Sequence, residues 1–145
     1  MKLGCFLLLW MGCLNYSLGQ ANPNQNLAEH IQSVRLHVYG DPESIPVVKL
    51  NSGDRVELHF DDIDTRVKNY YYTFQLCDIN WQPVDLSAFD YLRGFTQMRI
   101  TNYRFSTISF SRYIHYQVIL PEANCMPSRS GNYMLKVFMD GDTSR

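Results

Sequence analysis

Few side chains in this chain are spaced for chemistry. Asp61, Asp62 and Asp64 form its densest acidic group, directly after an alternating segment. Carboxylates so placed bind calcium when a glycine-containing loop of spaced oxygens and a closing glutamate follows. None follows here, so the three read as a solvated turn with side-chain-to-backbone hydrogen bonds. The histidines are His30, His37, His59 and His115, and none stands in His-x-x-x-His or related metal spacing. His37 and His59 fall on the outward positions of alternating segments. His115, flanked by Tyr113 and Tyr116, reads as a structural hydrogen-bonding residue. No metal centre is expected from these patterns.

Nucleophilic catalysis requires an activated Ser or Cys and an oxyanion hole. The chain has no Gly-x-Ser-x-Gly. Ser130-Gly131-Asn132 resembles part of a penicillin-recognising motif but lacks its Ser-x-x-Lys partner, so Gly131 is assigned to the turn entering the last strand. Tyr70, Tyr71, Tyr72 and Trp81 could stack on sugars, although Tyr70 and Tyr72 have core-facing parity and Trp81 sits where it would cap the end of a sandwich. The expectation is a chain without catalytic residues, cofactor or metal.

The elements that position these residues are strands. Val34, Leu36 and Val38 alternate with Arg35 and His37; Val56, Leu58 and Phe60 alternate with Arg55, Glu57 and His59. Tyr70, Tyr72, Phe74 and Leu76 share a face. Further strands are expected at Val47–Leu50, Met98–Phe105, Arg112–Leu120 and Asn132–Met139. Their inner faces are Ile114, Tyr116, Val118 and Leu120 in the sixth, and Tyr133, Leu135, Val137 and Met139 in the seventh. Between residues 84 and 93 the pattern fits a short helix capped by Asp85, packed through Leu86, Phe89, Tyr91 and Leu92 and ended by Gly94. About seven short strands with one small helix predict an all-β fold: an immunoglobulin- or fibronectin-like antiparallel β-sandwich.

Composition sets the limits. The 145 residues suffice for one domain. A net charge of -1, from 13 Lys+Arg against 14 Asp+Glu, leaves no basic footprint for nucleic acid. An aromatic share of 14% favours strands over helical bundles. Met1-Lys2, the apolar run Leu3 to Leu14 and Ser17-Leu18-Gly19 follow the order of a secretory signal spanning 1–19; a lipoprotein cut before Cys13 is the alternative. The run is short for a membrane span. Residues 20–30 read as a flexible leader and 31–145 as the sandwich. Removing the signal leaves Cys77 and Cys125, too few for a cysteine zinc site. Spacing allows either a disulfide or two free thiols, with a slight lean to free. Asp140-Gly141-Asp142 is a hairpin turn signal with no strand after it, which suggests the N-terminal fragment of a longer chain.

From residue 70 onward, several motifs occur in a definite order: Tyr70-Tyr71-Tyr72, Cys77-Asp78-Ile79-Asn80-Trp81-Gln82-Pro83, Asp90-Tyr91-Leu92-Arg93-Gly94-Phe95, Tyr113-Ile114-His115-Tyr116, Ser130-Gly131-Asn132-Tyr133 and Lys136 to Asp142. Together they resemble the N-terminal domain of the type IX secretion system plug protein family. Val84 and Ile108 depart from that pattern, which has Ser and Asn there. The resemblance implies an immunoglobulin-like sandwich and a non-enzymatic role at the outer membrane. There the protein would occupy the periplasmic mouth of a very large β-barrel translocon, exported but not itself spanning the membrane. The signature residues are then fold determinants: Cys77, Asp78 (bonding backbone in a turn), Trp81 (filling the sandwich end), Tyr91, Gly94, Tyr113, His115, Tyr116, Gly131, Asn132 and Tyr133. Contact candidates lie within Trp81 to Phe95 and Glu122 to Arg129, with Trp81, Arg93 (at the helix end) and Phe95 foremost. The rivals are a carbohydrate-binding module, which requires Tyr71 and Trp81 on one exposed platform, and an enzyme with convergent carboxylates or histidines at a deep pocket.

Overall fold

The computed structural model describes residues 28–107 and 110–139. The signal segment, most of the leader, Ile108 and the turn at residues 140–142 lie outside the described residues. The elements run β1 (Ile31–Val38), β2 (Val56–Asp62), β3 (Tyr70–Cys77), α1 (Ala88–Tyr91), β4 (Leu92–Gly94), β5 (Met98–Arg99), β6 (Asn102–Phe105), β7 (Ile114–Leu120), β8 (Cys125–Pro127) and β9 (Asn132–Met139). They form a four-stranded sheet in the order β1-β2-β7-β6, a three-stranded sheet β5-β3-β9 and the pair β4-β8. Every pairing is antiparallel. The architecture is the expected all-β sandwich with one short helix.

Alternation builds the core. Val56, Leu58 and Phe60 face Tyr70, Tyr72, Phe74 and Leu76, with Ile114, Tyr116 and Leu120 beside them, all buried in one cluster. The rings of Phe60, Tyr70 and Tyr116 meet at its centre. Phe60 stacks on Tyr116 at 5.1 Å, and both meet Tyr70 in T-shaped contacts, at 5.1 and 4.9 Å. Such pairs contribute roughly 0.5–1.5 kcal/mol each beyond area burial.

Four details of the sequence reading are corrected. Val47–Leu50 is not a strand. Pro46 has no N–H, the Lys49 amide donates to Asp54 Oδ2 (3.2 Å), and the Ser52 amide and hydroxyl both donate to the Lys49 carbonyl. Local side chains thus claim the backbone groups a strand would pair. Met98–Phe105 splits into β5 and β6, which belong to different sheets; the chain changes layer at buried Ile100, whose amide donates to the Tyr70 carbonyl at 2.8 Å. The helix is capped at Ser87, not Asp85, and the Ser87 amide donates to Asp90 Oδ2 at 3.1 Å. With one turn it can bury one side only, so Tyr91 is buried while Phe89 is 76% exposed and Leu86 is exposed too. It ends at extended Leu92, and Gly94 closes strand β4 instead. In β9, Val137 and Met139 have the inner parity, yet they remain partly exposed; Phe138, on the other face, is buried and stacks on Tyr71 at 6.1 Å.

Cys77 and Cys125 are both free and buried. Burial pushes the Cys125 thiol up to about 11, so it stays protonated and unreactive at neutral pH.

Candidate functional site

Most of the signature residues gather at one end of β3. Asp78 organises the turn that follows this strand. Its Oδ1 accepts from the amides of Asn80 (2.8 Å) and Gln82 (2.9 Å), and its own amide donates to the Gln82 carbonyl (2.9 Å). Asn132 Nδ2 locks the turn from β9 by donating to the Asp78 carbonyl at 3.2 Å. Asp78 therefore bonds backbone in a turn, as expected.

The turn forces Trp81 to φ +61°, in the left-handed region. A bulky residue there is uncommon and costs roughly 1–2 kcal/mol. The indole does not fill the sandwich end, as the sequence reading proposed; it is 47% exposed. The reason is the backbone: left-handed geometry swings the side chain away from the strand it follows. Strained residues cluster at functional surfaces, and this one carries a large amphipathic ring.

The other signature residues are structural supports. Buried Tyr91 lies 6.1 Å from the Tyr133 ring, and the Tyr133 hydroxyl donates to the Arg129 carbonyl at 2.9 Å. Desolvation raises the pKa of both phenols. Gly94 has φ +88°, and a Cβ there would sit 2.2 Å from the Asn124 carbonyl oxygen. Gly131 leaves room for Leu76, whose Cδ1 would lie 2.7 Å from an added Cβ. Cys77 ends β3, and Tyr116 is fully buried, with its hydroxyl donating to the Lys68 carbonyl at 3.2 Å. Tyr113 and Ser106 clasp the strand entry, with the Tyr113 amide on Ser106 Oγ (3.0 Å) and the Ser106 amide on the Tyr113 carbonyl (3.0 Å).

Of the contact candidates, Phe95 is 63% exposed, next to the close approach at Gly94. Arg93 lies in strand β4, not at the helix end, opposite Met126, and its Nη2 donates to Asn51 Oδ1 at 2.6 Å. Its guanidinium is thus partly engaged. Ile79, Leu86 and Phe89 add exposed apolar side chains from the same stretch of chain.

A second constellation escaped the sequence reading. The outer face of the four-stranded sheet carries His37 from β1, Glu57, His59 and Asp61 from β2, and His115 and Gln117 from β7. Register places His37 opposite Glu57, His59 opposite Gln117 and Asp61 opposite His115. The outward parity of His37 and His59 is legible in the sequence; their adjacency is not, because it depends on the register between strands and not on spacing along the chain. Nor are the three aspartates simply a solvated turn. Asp64 does donate its amide to Asp62 Oδ1 (2.9 Å), but Asp62 is fully buried and Asp61 bonds His115.

No helix among the described residues is long and apolar enough to cross a membrane. The fold defines a compact all-β sandwich domain bearing an aromatic, strained turn at one end. Residues 31–145 match the family model for the first domain of the type 9 secretion system plug protein, and the chain belongs to that family. Among solved structures it is similar to a crystal structure of a hypothetical protein from Parabacteroides merdae ATCC 43184, at 26% identity and a TM-score of 0.73. The match covers 77% of this chain and 28% of that one, so the chain spans well under half the length of that relative. No curated protein matches the chain.

Proposed function

We propose that this chain is a non-enzymatic component of the type IX secretion system that stops the periplasmic side of the outer-membrane translocon barrel. The coarser part, a role associated with type IX secretion at the cell envelope, is supported by the family match over residues 31–145. The finer part rests on one observation: Trp81 is held in a strained backbone conformation with about half its surface free. Buried aromatic and Arg anchors within a polar rim carry most interface energy, and Trp81 with Phe95 supplies such anchors. The partner is a large β-barrel protein. A stopper that cargo must displace needs moderate affinity, so a few anchors suit it better than a broad apolar face.

The carbohydrate-module alternative loses its platform. Tyr71 is paired near the start of β3 and half-covered by Phe138, whereas Trp81 follows the other end of that strand. At about 3.4 Å per residue the two are on the order of 20 Å apart.

The test is affinity purification of the full-length protein from its native outer membrane, followed by the same experiment on Trp81→Asn with Phe95→Ser. Recovery of a very large barrel protein by the parent, reduced severalfold in the variant at unchanged Tm, supports the reading. Equal recovery with both chains, or recovery of none, sinks it.

A further inference from the structure

We propose that the outer face of the β1-β2-β7 sheet holds a divalent transition-metal ion of the zinc class, ligated by His37, Glu57 and His59. One ring nitrogen of each histidine and one Glu57 oxygen lie within 4.8 Å of one another. The His59 Nε2 to Glu57 Oε2 distance is 3.4 Å. Tetrahedral zinc with bonds near 2.0–2.1 Å places its donors about 3.3 Å apart. The widest pair therefore has to close by at most about 1.5 Å, within reach of small side-chain adjustments.

The case for a cation is the lone-pair count around the cluster. His37 Nδ1 lies 3.0 Å from the Val38 carbonyl, which requires its proton there and leaves the lone pair on the other nitrogen. Asp61 Oδ1 lies 2.7 Å from His115 Nδ1, so a neutral His115 presents its lone pair at Nε2. With His115 neutral, His59 Nδ1, 3.1 Å from that Nε2, is the donor of the pair. His59 Nε2 is then an acceptor facing a carboxylate oxygen, itself an acceptor. Gln117 Nε2 donates to the other Glu57 oxygen, Oε1, and holds the carboxylate in place. With neutral imidazoles, the His59 Nε2 lone pair and a Glu57 oxygen thus face each other with no proton between them, and a His37 ring nitrogen lies within 4.8 Å of both residues' ligand atoms.

The surroundings are those of a built metal site. Ligating histidines donate their remaining N–H to a carbonyl or a carboxylate, which fixes the tautomer. Here His37 does so to a carbonyl directly, and His59 does so to Asp61 through His115. His37 and Glu57 are buried, and His59 is mostly covered. Two His and one carboxylate suit zinc and neighbouring first-row ions better than calcium or magnesium. A groove of about 800 Å³ lined by Arg35, Asp61, Arg104 and Tyr113, among others, lies over the cluster and gives a fourth ligand its way in. This site is independent of the Trp81 turn.

The experiment is titration of the purified, chelator-treated protein with Zn²⁺ by calorimetry, and with Co²⁺ by absorption spectroscopy. The variants are His37→Ala, Glu57→Gln and Asp61→Asn, with Trp81→Asn as a distant control. One equivalent of Zn²⁺ is expected, with a Co²⁺ d–d band free of thiolate charge transfer. His37→Ala and Glu57→Gln should lose binding at least 100-fold. Asp61→Asn, which touches no metal, should weaken it roughly 10–100-fold, and Trp81→Asn should leave it intact. Binding that survives His37→Ala and Glu57→Gln, a thiolate band, or no stoichiometric uptake by the parent would overturn the assignment. Should the first two variants fail to fold, X-ray absorption of the parent's Zn²⁺ decides: two imidazoles in an all N/O shell support the site, and any other shell refutes it.

Discussion

The Tyr70 hydroxyl donates to Asp62 Oδ2 at 2.8 Å, and the carboxylate it reaches is fully buried on the core side of β2. Lys68 Nζ completes the arrangement at 3.0 Å from the same oxygen. Desolvation, then the bond to Asp62, raises the Tyr70 phenol well above its ordinary value, so the hydroxyl remains a donor at any pH the protein meets. Asp62 is thus a buried charge with its partners in place. Breaking such a pair from one side leaves the other uncompensated. Lys68→Met should cost about 3–5 kcal/mol, and Tyr70→Phe, which leaves the lysine in place, about 1–3 kcal/mol. Urea unfolding followed by fluorescence measures both. A Lys68→Met loss smaller than that of Tyr70→Phe contradicts this ranking.

The acid limb of the stability profile should carry the mark of two surface carboxyls. Hydrogen bonds from Arg66 and then Lys68 hold Asp64 below its usual range. The Lys49 amide and then Ser52 do the same for Asp54. A carboxyl with a depressed folded-state pKa adds stability above its unfolded value, about 3.9, and loses it as pH falls through the folded value. Stability should therefore be flat from neutral pH down to about 5 in respect of these groups, then decline towards pH 3. Asp64→Asn and Asp54→Asn should each flatten that decline. Thermal unfolding across pH 3 to 7 checks it, and an unchanged acid limb in the double variant would count against it.

Two left-handed glycines should behave differently. Gly40 has φ +83° with nothing within 4 Å of an added Cβ, so Gly40→Ala meets only conformational strain, about 1–2 kcal/mol. Gly94 has similar φ but its Cβ would meet backbone at Asn124, whose carbonyl accepts from Phe95. Backbone cannot step aside as a flexible side chain can. Gly94→Ala should lose at least about 2 kcal/mol more than Gly40→Ala, since repulsion adds to strain. Equal Tm losses would show that the β4–β8 pair relaxes freely.

Trp81→Asn separates stability from function. Asn tolerates the left-handed region, so relief of roughly 1–2 kcal/mol of strain should offset the lost contacts of a half-exposed ring. The expected Tm change is within a few degrees of zero, while partner recovery falls. A collapse in stability would assign Trp81 to the core after all.

Alternation in the sequence determined the layers. Leu58 and Phe60 had to face inward and Glu57 and His59 outward, because side chains alternate across a strand whatever it pairs with. The turn chemistry of Asp78 was equally local, a short acceptor within reach of the next amides. Single residues decided less well where one turn of helix had to choose a side, as at Ser87 and Phe89. What no one-dimensional pattern held was register. Tertiary structure alone set His37 opposite Glu57 and Asp61 opposite His115, since a shift of one residue between strands would have sent each to the other face. The bend at Ile100, which moves one apolar run between two sheets, depended in the same way on the Tyr70 carbonyl, thirty positions earlier, being there to receive its amide. Faces follow from covalent geometry; neighbours follow from packing.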